Sequence, residues 1–214
     1  MKMFTNKSFV LSCVSLVLLG VSGVTKASTV YEFNSTAVGA FGDGPYGTVT
    51  LTQNVDDVDV TVLLRDDLNF VNTGNENSHT IFSFNSDLIG LAVTDISFDG
   101  INNLNYELVS PGGNSPFGEF DYAIFCSGNE CENGAPGQSA DPLSFTVLNA
   151  SVADLVGLST VGNPDAYFAA DVICISGDCT GATGGIGVVP VPASVWLFGS
   201  GLIGLVGVAR RRQS

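Results

Sequence analysis

The chain has 214 residues, 45% of them apolar, and 21 acids against seven basic residues give a formal charge of −14. So acidic a balance excludes nucleic acid and anionic lipid headgroups as partners for the body of the chain, because its long-range field repels them. The length suits one domain with a sizeable core once targeting segments are set aside.

Lys2 and Lys7 precede an apolar stretch from Phe9 to Val24, and Thr25-Lys26-Ala27 offers small residues at the positions a signal peptidase reads. This predicts a secretory signal peptide over residues 1–27, delivered to the Sec machinery and cut after Ala27. Cys13 does not mark a lipoprotein, because most of the apolar region follows it. The expected exported domain, residues 28–187, holds all 21 acids and one basic residue, Arg65, a formal charge of −20. Divalent cations and cationic polymers are compatible with such a surface.

Within this domain the pattern is nearly all strand. Thr48-Val49-Thr50-Leu51-Thr52 and Asp57-Val58-Asp59-Val60-Thr61-Val62 alternate polar with apolar residues, the signature of a sheet with one face buried. Gln53 to Asp56 reads as the loop of an antiparallel hairpin. Similar runs recur at Val30 to Phe33, Thr80 to Phe84, Leu91 to Phe98, Leu104 to Val109, Phe120 to Phe125, Leu143 to Leu148 and Tyr167 to Ile175. Their spacing predicts an all-β, antiparallel sandwich of about eight to ten strands. Ser151-Val152-Ala153-Asp154 has capping-box spacing and predicts one short helix at a sandwich edge. Asn72 to Asn77, Pro111 to Pro116 and Cys126 to Asp141 read as loops.

Cys126 with Cys131 and Cys174 with Cys179 are two C-x₄-C motifs, each starting where a strand gives way to a glycine-containing turn. In an exported chain four cysteines read as two disulfides with three possible connectivities, and a four-thiolate zinc site is the rival. The local pairs are expected. The chain-entropy model credits them with only roughly 2 kcal/mol each, so they mainly rigidify turns.

Chemistry is thin. His79 is the only histidine and reads as a loop or strand-edge hydrogen-bonder. A Ser-His-Asp triad would rest on it alone, no G-x-S-x-G or zinc-protease helix occurs, and carboxylate pairs arise by chance among 21 acids. The chain is therefore not expected to be an enzyme. Calcium is the one candidate ion: Asp57, Asp59, Asp66 and Asp67 supply hard oxygen ligands near the hairpin. Against it, Asp57 and Asp59 also fit an ordinary solvated strand face, and no EF-hand loop is present.

The last segment, residues 188–214, differs from all this. Val191 to Ala209 carries no charge, and as a helix it would span roughly 28 Å, about one hydrocarbon core. Pro192 suits a first helical turn, Trp196 suits headgroup depth, and Arg210, Arg211 and Arg212 form a cytoplasmic stop. Gly199-Ser200-Gly201-Leu202-Ile203-Gly204 fits G-x-G-x-x-G, but only ten residues follow it, too few for a dinucleotide site; its small residues suit close helix approach in lipid.

Pro190-Val191-Pro192, Ala193, Trp196-Leu197-Phe198-Gly199-Ser200-Gly201, the apolar run and the three arginines resemble the PEP-CTERM sorting signal of Gram-negative bacteria. Val191 stands where the motif's eponymous glutamate would be. The resemblance implies a substrate of exosortase, a membrane-embedded transpeptidase-like enzyme, held first as an inner-membrane precursor. It then implies the cell surface or the exopolysaccharide matrix of a biofilm. Tyr31-Glu32-Phe33, Gly44 to Leu51, His79 to Asn85 and Tyr167 to Asp171 are similar to the β-rich extracellular domains often found upstream of such tails, which adds no activity. Two roles follow as expectations: a structural or adhesive matrix protein, or a lectin-like module binding a glycan, with calcium as its possible aid. Tyr46, Tyr106, Phe117 and Tyr122 discriminate, since a shared solvent-facing patch favours the lectin and burial favours the matrix role.

Overall fold

A computed structural model describes residues 26–73, 78–99, 106–126 and 142–190, and the backbone of 101–102. The chain enters as β1 (Ser28–Glu32) and β2 (Ser35–Thr36), then forms the hairpin β3 (Gly47–Asn54) and β4 (Asp57–Leu64). Short strands follow: β5 (Leu68–Phe70), β6 (Phe82–Phe84), β7 (Val93–Phe98), β8 (Ile101–Asn102) and β9 (Tyr106–Val109). After them come β10 (Gly112–Asn114), β11 (Gly118–Phe120), β12 (Tyr122–Cys126), β13 (Leu143–Val147), β14 (Phe168–Cys174) and β15 (Thr183–Val188).

These strands make two open antiparallel sheets and a small third layer. One sheet has the order β1-β3-β4-β13-β7-β8, the other β2-β15-β14-β6-β12-β9, with β5 also paired to β14. The period-two alternation decides which face is inward. Val49 and Leu51 of β3, Val58, Val60 and Val62 of β4, and Leu143, Phe145 and Val147 of β13 are buried, while the threonines and aspartates between them are not. Rings meet across the two sheets: Phe82 lies 6.0 Å from Phe145, Phe70 lies 5.7 Å from Phe98, and Tyr31 lies 5.2 Å from Phe168, centroid to centroid. One apolar core therefore lies between the sheets.

The mostly-β, antiparallel expectation holds, and several details differ. Fifteen strands are described, against eight to ten expected, because many are only two or three residues long. The β3–β4 turn is tighter than read: Gln53 and Asn54 stay in register with Val58 and Asp57, leaving Val55 and Asp56 as the turn, with Val55 at φ 58°. Gln53 stabilises it, its Nε2 within 3.0–3.1 Å of the Val55, Asp57 and Ala150 carbonyls and its Oε1 accepting from the Val152 N–H. The helix expected after Ser151 is a single 3₁₀ turn, Val152–Leu155, with the Asp154 carboxylate accepting from the Ser151 N–H at 2.8 Å. Two further 3₁₀ turns, Gly39–Phe41 and Gly177–Cys179, carried no sequence signal that distinguished them from loops.

The segment from Pro111 to Pro116, expected to be a loop, contains β10 and belongs to the third layer. β10 and β11 pair as a hairpin over the outer face of β14 and β15, burying Phe117 and Phe120 with Ala166 and Ala169. Every residue of β14 is consequently buried. Residues 1–25 of the expected signal peptide, residues 127–141 of the loop expected from Cys126 to Asp141, and the segment from Val191 onward lie outside the described residues. Among the described residues no helix is long and apolar enough to cross a membrane.

Candidate functional site

The junction between the folded body and the tail is built by the last strand. Tyr167 N–H donates to the Val188 carbonyl at 2.9 Å, and Val188 is buried in the core. The next residue is held by one side chain. Asn34 donates its amide to the Val189 carbonyl at 3.0 Å and accepts the Val189 N–H at 3.0 Å, a two-point clamp on the backbone. Pro190 then emerges exposed at the rim of a groove of about 450 Å³ that is bounded by Val30, Tyr31, Glu32 and Tyr167. Of the expected sorting residues only Pro190 is described; Val191, Pro192, Trp196 and Arg210 to Arg212 lie outside the described residues.

Three of the four aspartates proposed for calcium have separate partners. Asp57 accepts the Asn149 N–H at 2.9 Å, and Asp59 faces Lys26 at 3.5 Å and accepts from Thr146 Oγ1 at 3.1 Å. Asp66 is exposed. Asp67 takes a bidentate pair from Arg65, at 2.6 Å from Nε and 2.9 Å from Nη2, which holds its carboxyl below the usual carboxylate range. Arg65 also donates to the Asp43 and Phe41 carbonyls and lies 5.3 Å from the Tyr46 ring centroid. No three of these four carboxylates converge; the one group of three ligand-type residues among the described residues is Asp67 with Cys174 and Cys179.

Those two cysteines are joined as a disulfide, so their sulfurs are not thiolate ligands. The pair closes the turn that carries Gly177–Cys179, as the sequence predicted. Cys126 is disulfide-bonded as well, while Cys131 lies outside the described residues.

The sequence singled out His79 and missed the carboxylate it meets. His79 sits at a strand edge, in a single bridge with Asn114, and its Nδ1 lies 3.8 Å from Oδ1 of the fully buried Asp171. Neither atom has a hydrogen-bond partner. The other carboxylate oxygen accepts both the N–H and the hydroxyl of Thr73. Burial pushes the Asp171 carboxyl up, against the opposing bonds from Thr73 and the nearby imidazole. Around it Asn114 donates to the Thr80 carbonyl at 3.0 Å and to Ser83 Oγ at 2.8 Å. This polar seam fastens the β10 layer to β6 and β14. The signal for it was present, since Asp171 is the one charged residue in the apolar run from Phe168 to Cys174.

Tyr46, Tyr106, Phe117 and Tyr122 are all buried, and Tyr122 spends its hydroxyl on the Leu88 carbonyl at 2.8 Å. They do not form a solvent-facing patch. Tyr31 and Tyr167 are the partly exposed tyrosines, with ring centroids 6.4 Å apart in the wall of the junction groove.

Comparison with known families places the junction at the head of a defined segment: residues 188–213 match the PEP-CTERM protein-sorting motif. That motif implies export through a membrane-anchored precursor and processing by an exosortase-type enzyme. No curated protein and no solved structure matches the chain.

Proposed function

We propose that the chain is a non-catalytic structural or adhesive protein of the cell surface or exopolysaccharide matrix, carried there by its C-terminal sorting signal. The observation that carries the export half of this reading is the match over residues 188–213, which begins on a core residue of the last strand. In the proposed sequence of events, the Sec machinery delivers the chain and signal peptidase removes residues 1–27. The apolar run from Val191 then holds the domain outside the inner membrane, and exosortase separates the two near Pro190 to Pro192.

The matrix role is supported by burial of Tyr46, Tyr106, Phe117 and Tyr122, which leaves those rings no part in stacking on a sugar. It is supported also by the charge of residues 28–187, which keeps the domain soluble and able to bridge cations. Replacing Pro190 and Pro192 together with alanine tests the sorting step: the expected result is accumulation of precursor in the membrane fraction and loss of released domain. Unchanged processing and release would overturn it. Binding to a glycan array by the released domain would move the assignment to the lectin reading.

A further inference from the structure

We infer that the groove along β1 seats this chain's own segment from Val189 to Ala193 as it leaves the folded body. The groove follows an edge rather than a face. Val30 and Glu32 point to one side of β1 and Tyr31 to the other, yet all three line it. β1 pairs only with β3 among the described strands, so its other edge carries backbone groups with no strand beside them. Val30 is 58% exposed, a large apolar residue beside a partly open tyrosine pair.

The occupant is indicated by position, length and conformation. The Asn34 clamp fixes Val189 at one end of the groove, and Pro190 already forms part of its wall. Val189 and Val191 each precede a proline, which confines both to extended conformations. The four residue steps from Val189 to Ala193 advance about 12 Å as polyproline II. The four steps from Asn34 back to Val30, two of them beyond the end of β1, cover about 13 Å at strand spacing. The segment and the strand edge therefore match in length. Aromatic-lined grooves accept such preformed proline helices at low entropic cost. Between the two prolines Val191 alone keeps a backbone N–H, which the edge carbonyls of β1 can accept.

Seated this way, the first residues of the sorting motif are part of the domain's surface, and the apolar run starts at a fixed place on it. The geometry does not depend on which enzyme reads the tail. Cysteine crosslinking in the full-length chain, held in detergent micelles and carrying Cys13→Ser, tests it. Ala193 is three residues beyond Pro190 and free to lie anywhere within about 11 Å of it if unseated. Val30→Cys with Ala193→Cys is expected to form an intramolecular disulfide at least about tenfold faster than Asp165→Cys with Ala193→Cys, Asp165 being exposed outside the groove and three residues before Phe168, which pairs with Val188. Adding Tyr31→Ser and Tyr167→Ser should remove that advantage. Equal rates for the two pairs would overturn the inference without any tyrosine change, and covalent dimers formed by the Val30→Cys variant through its new thiol would assign the groove to a second copy instead.

Discussion

Asp171 is a carboxylate in a place that favours its protonated form, and this has a measurable pH dependence. Its folded pKa is raised by burial, so between its unfolded value of about 3.9 and the raised value the folded chain holds a proton the unfolded chain has lost. The stability from this group is full below about 3.9 and is lost as pH rises through the folded value. Asp171→Asn keeps the shape, can still accept from Thr73, and offers an N–H to the unpartnered His79 Nδ1. The variant's melting temperature is expected to match the parent's near pH 4 and to exceed it at pH 8; a lower value at both would show that the carboxylate itself is needed. His79 was visible in the sequence as a lone histidine, but its contact with a residue 92 positions away required knowing that β6 lies beside β14. The acidic pairs were visible too, as was Arg65 two residues before Asp67, but the engagement of Asp57 and Asp59 by Asn149 and Thr146 was not, because those partners come from a distant strand and turn.

At the scale of elements, the runs that alternate could be read and the runs that depend on glycine could not. β3, β4 and β13 follow from their valines, threonines and phenylalanines. β15, with the sequence Thr183-Gly184-Gly185-Ile186-Gly187-Val188, has too many glycines to score as a strand, since glycine weakens strand interiors. Its glycines are explained by the third layer. A Cβ at Gly187 would lie 2.5–2.8 Å from the Phe117 ring, so the ring packs where a side chain would otherwise stand. For the same reason the Pro111 to Pro116 stretch could not be recognised as part of a layer: its hairpin exists only because β15 offers a bare surface. Gly187→Val is expected to lift Phe117 and destabilise the domain by about 1–3 kcal/mol, the usual cost of overpacking. Thermal melting would read this as a drop of several degrees, and an unchanged melting point would mean that the hairpin is not seated on β15.

On the scale of the whole molecule, repulsion among like charges dominates. One arginine and 21 acids between residues 28 and 187 leave little attraction to offset it. Raising sodium chloride from about 0.01 M to about 1 M shortens the screening length from about 30 Å to about 3 Å, so the melting temperature is expected to rise steadily. Calcium at matched ionic strength is expected to add nothing further, because Asp57, Asp59 and Asp67 already have partners. An additional rise with calcium, reversed by chelator, would identify a specific site.

The Arg65 clamp has one more outcome, which concerns resistance to proteolysis. Between Ser28 and Gly187 there is no lysine, and Arg65 is the sole arginine. Its guanidinium is tied to Asp67 and to the carbonyls of Phe41 and Asp43. A trypsin-like protease, which must take a free Lys or Arg side chain into its specificity pocket, therefore finds one cleavage point between residues 28 and 187, and there it must first break the bonds that hold the guanidinium.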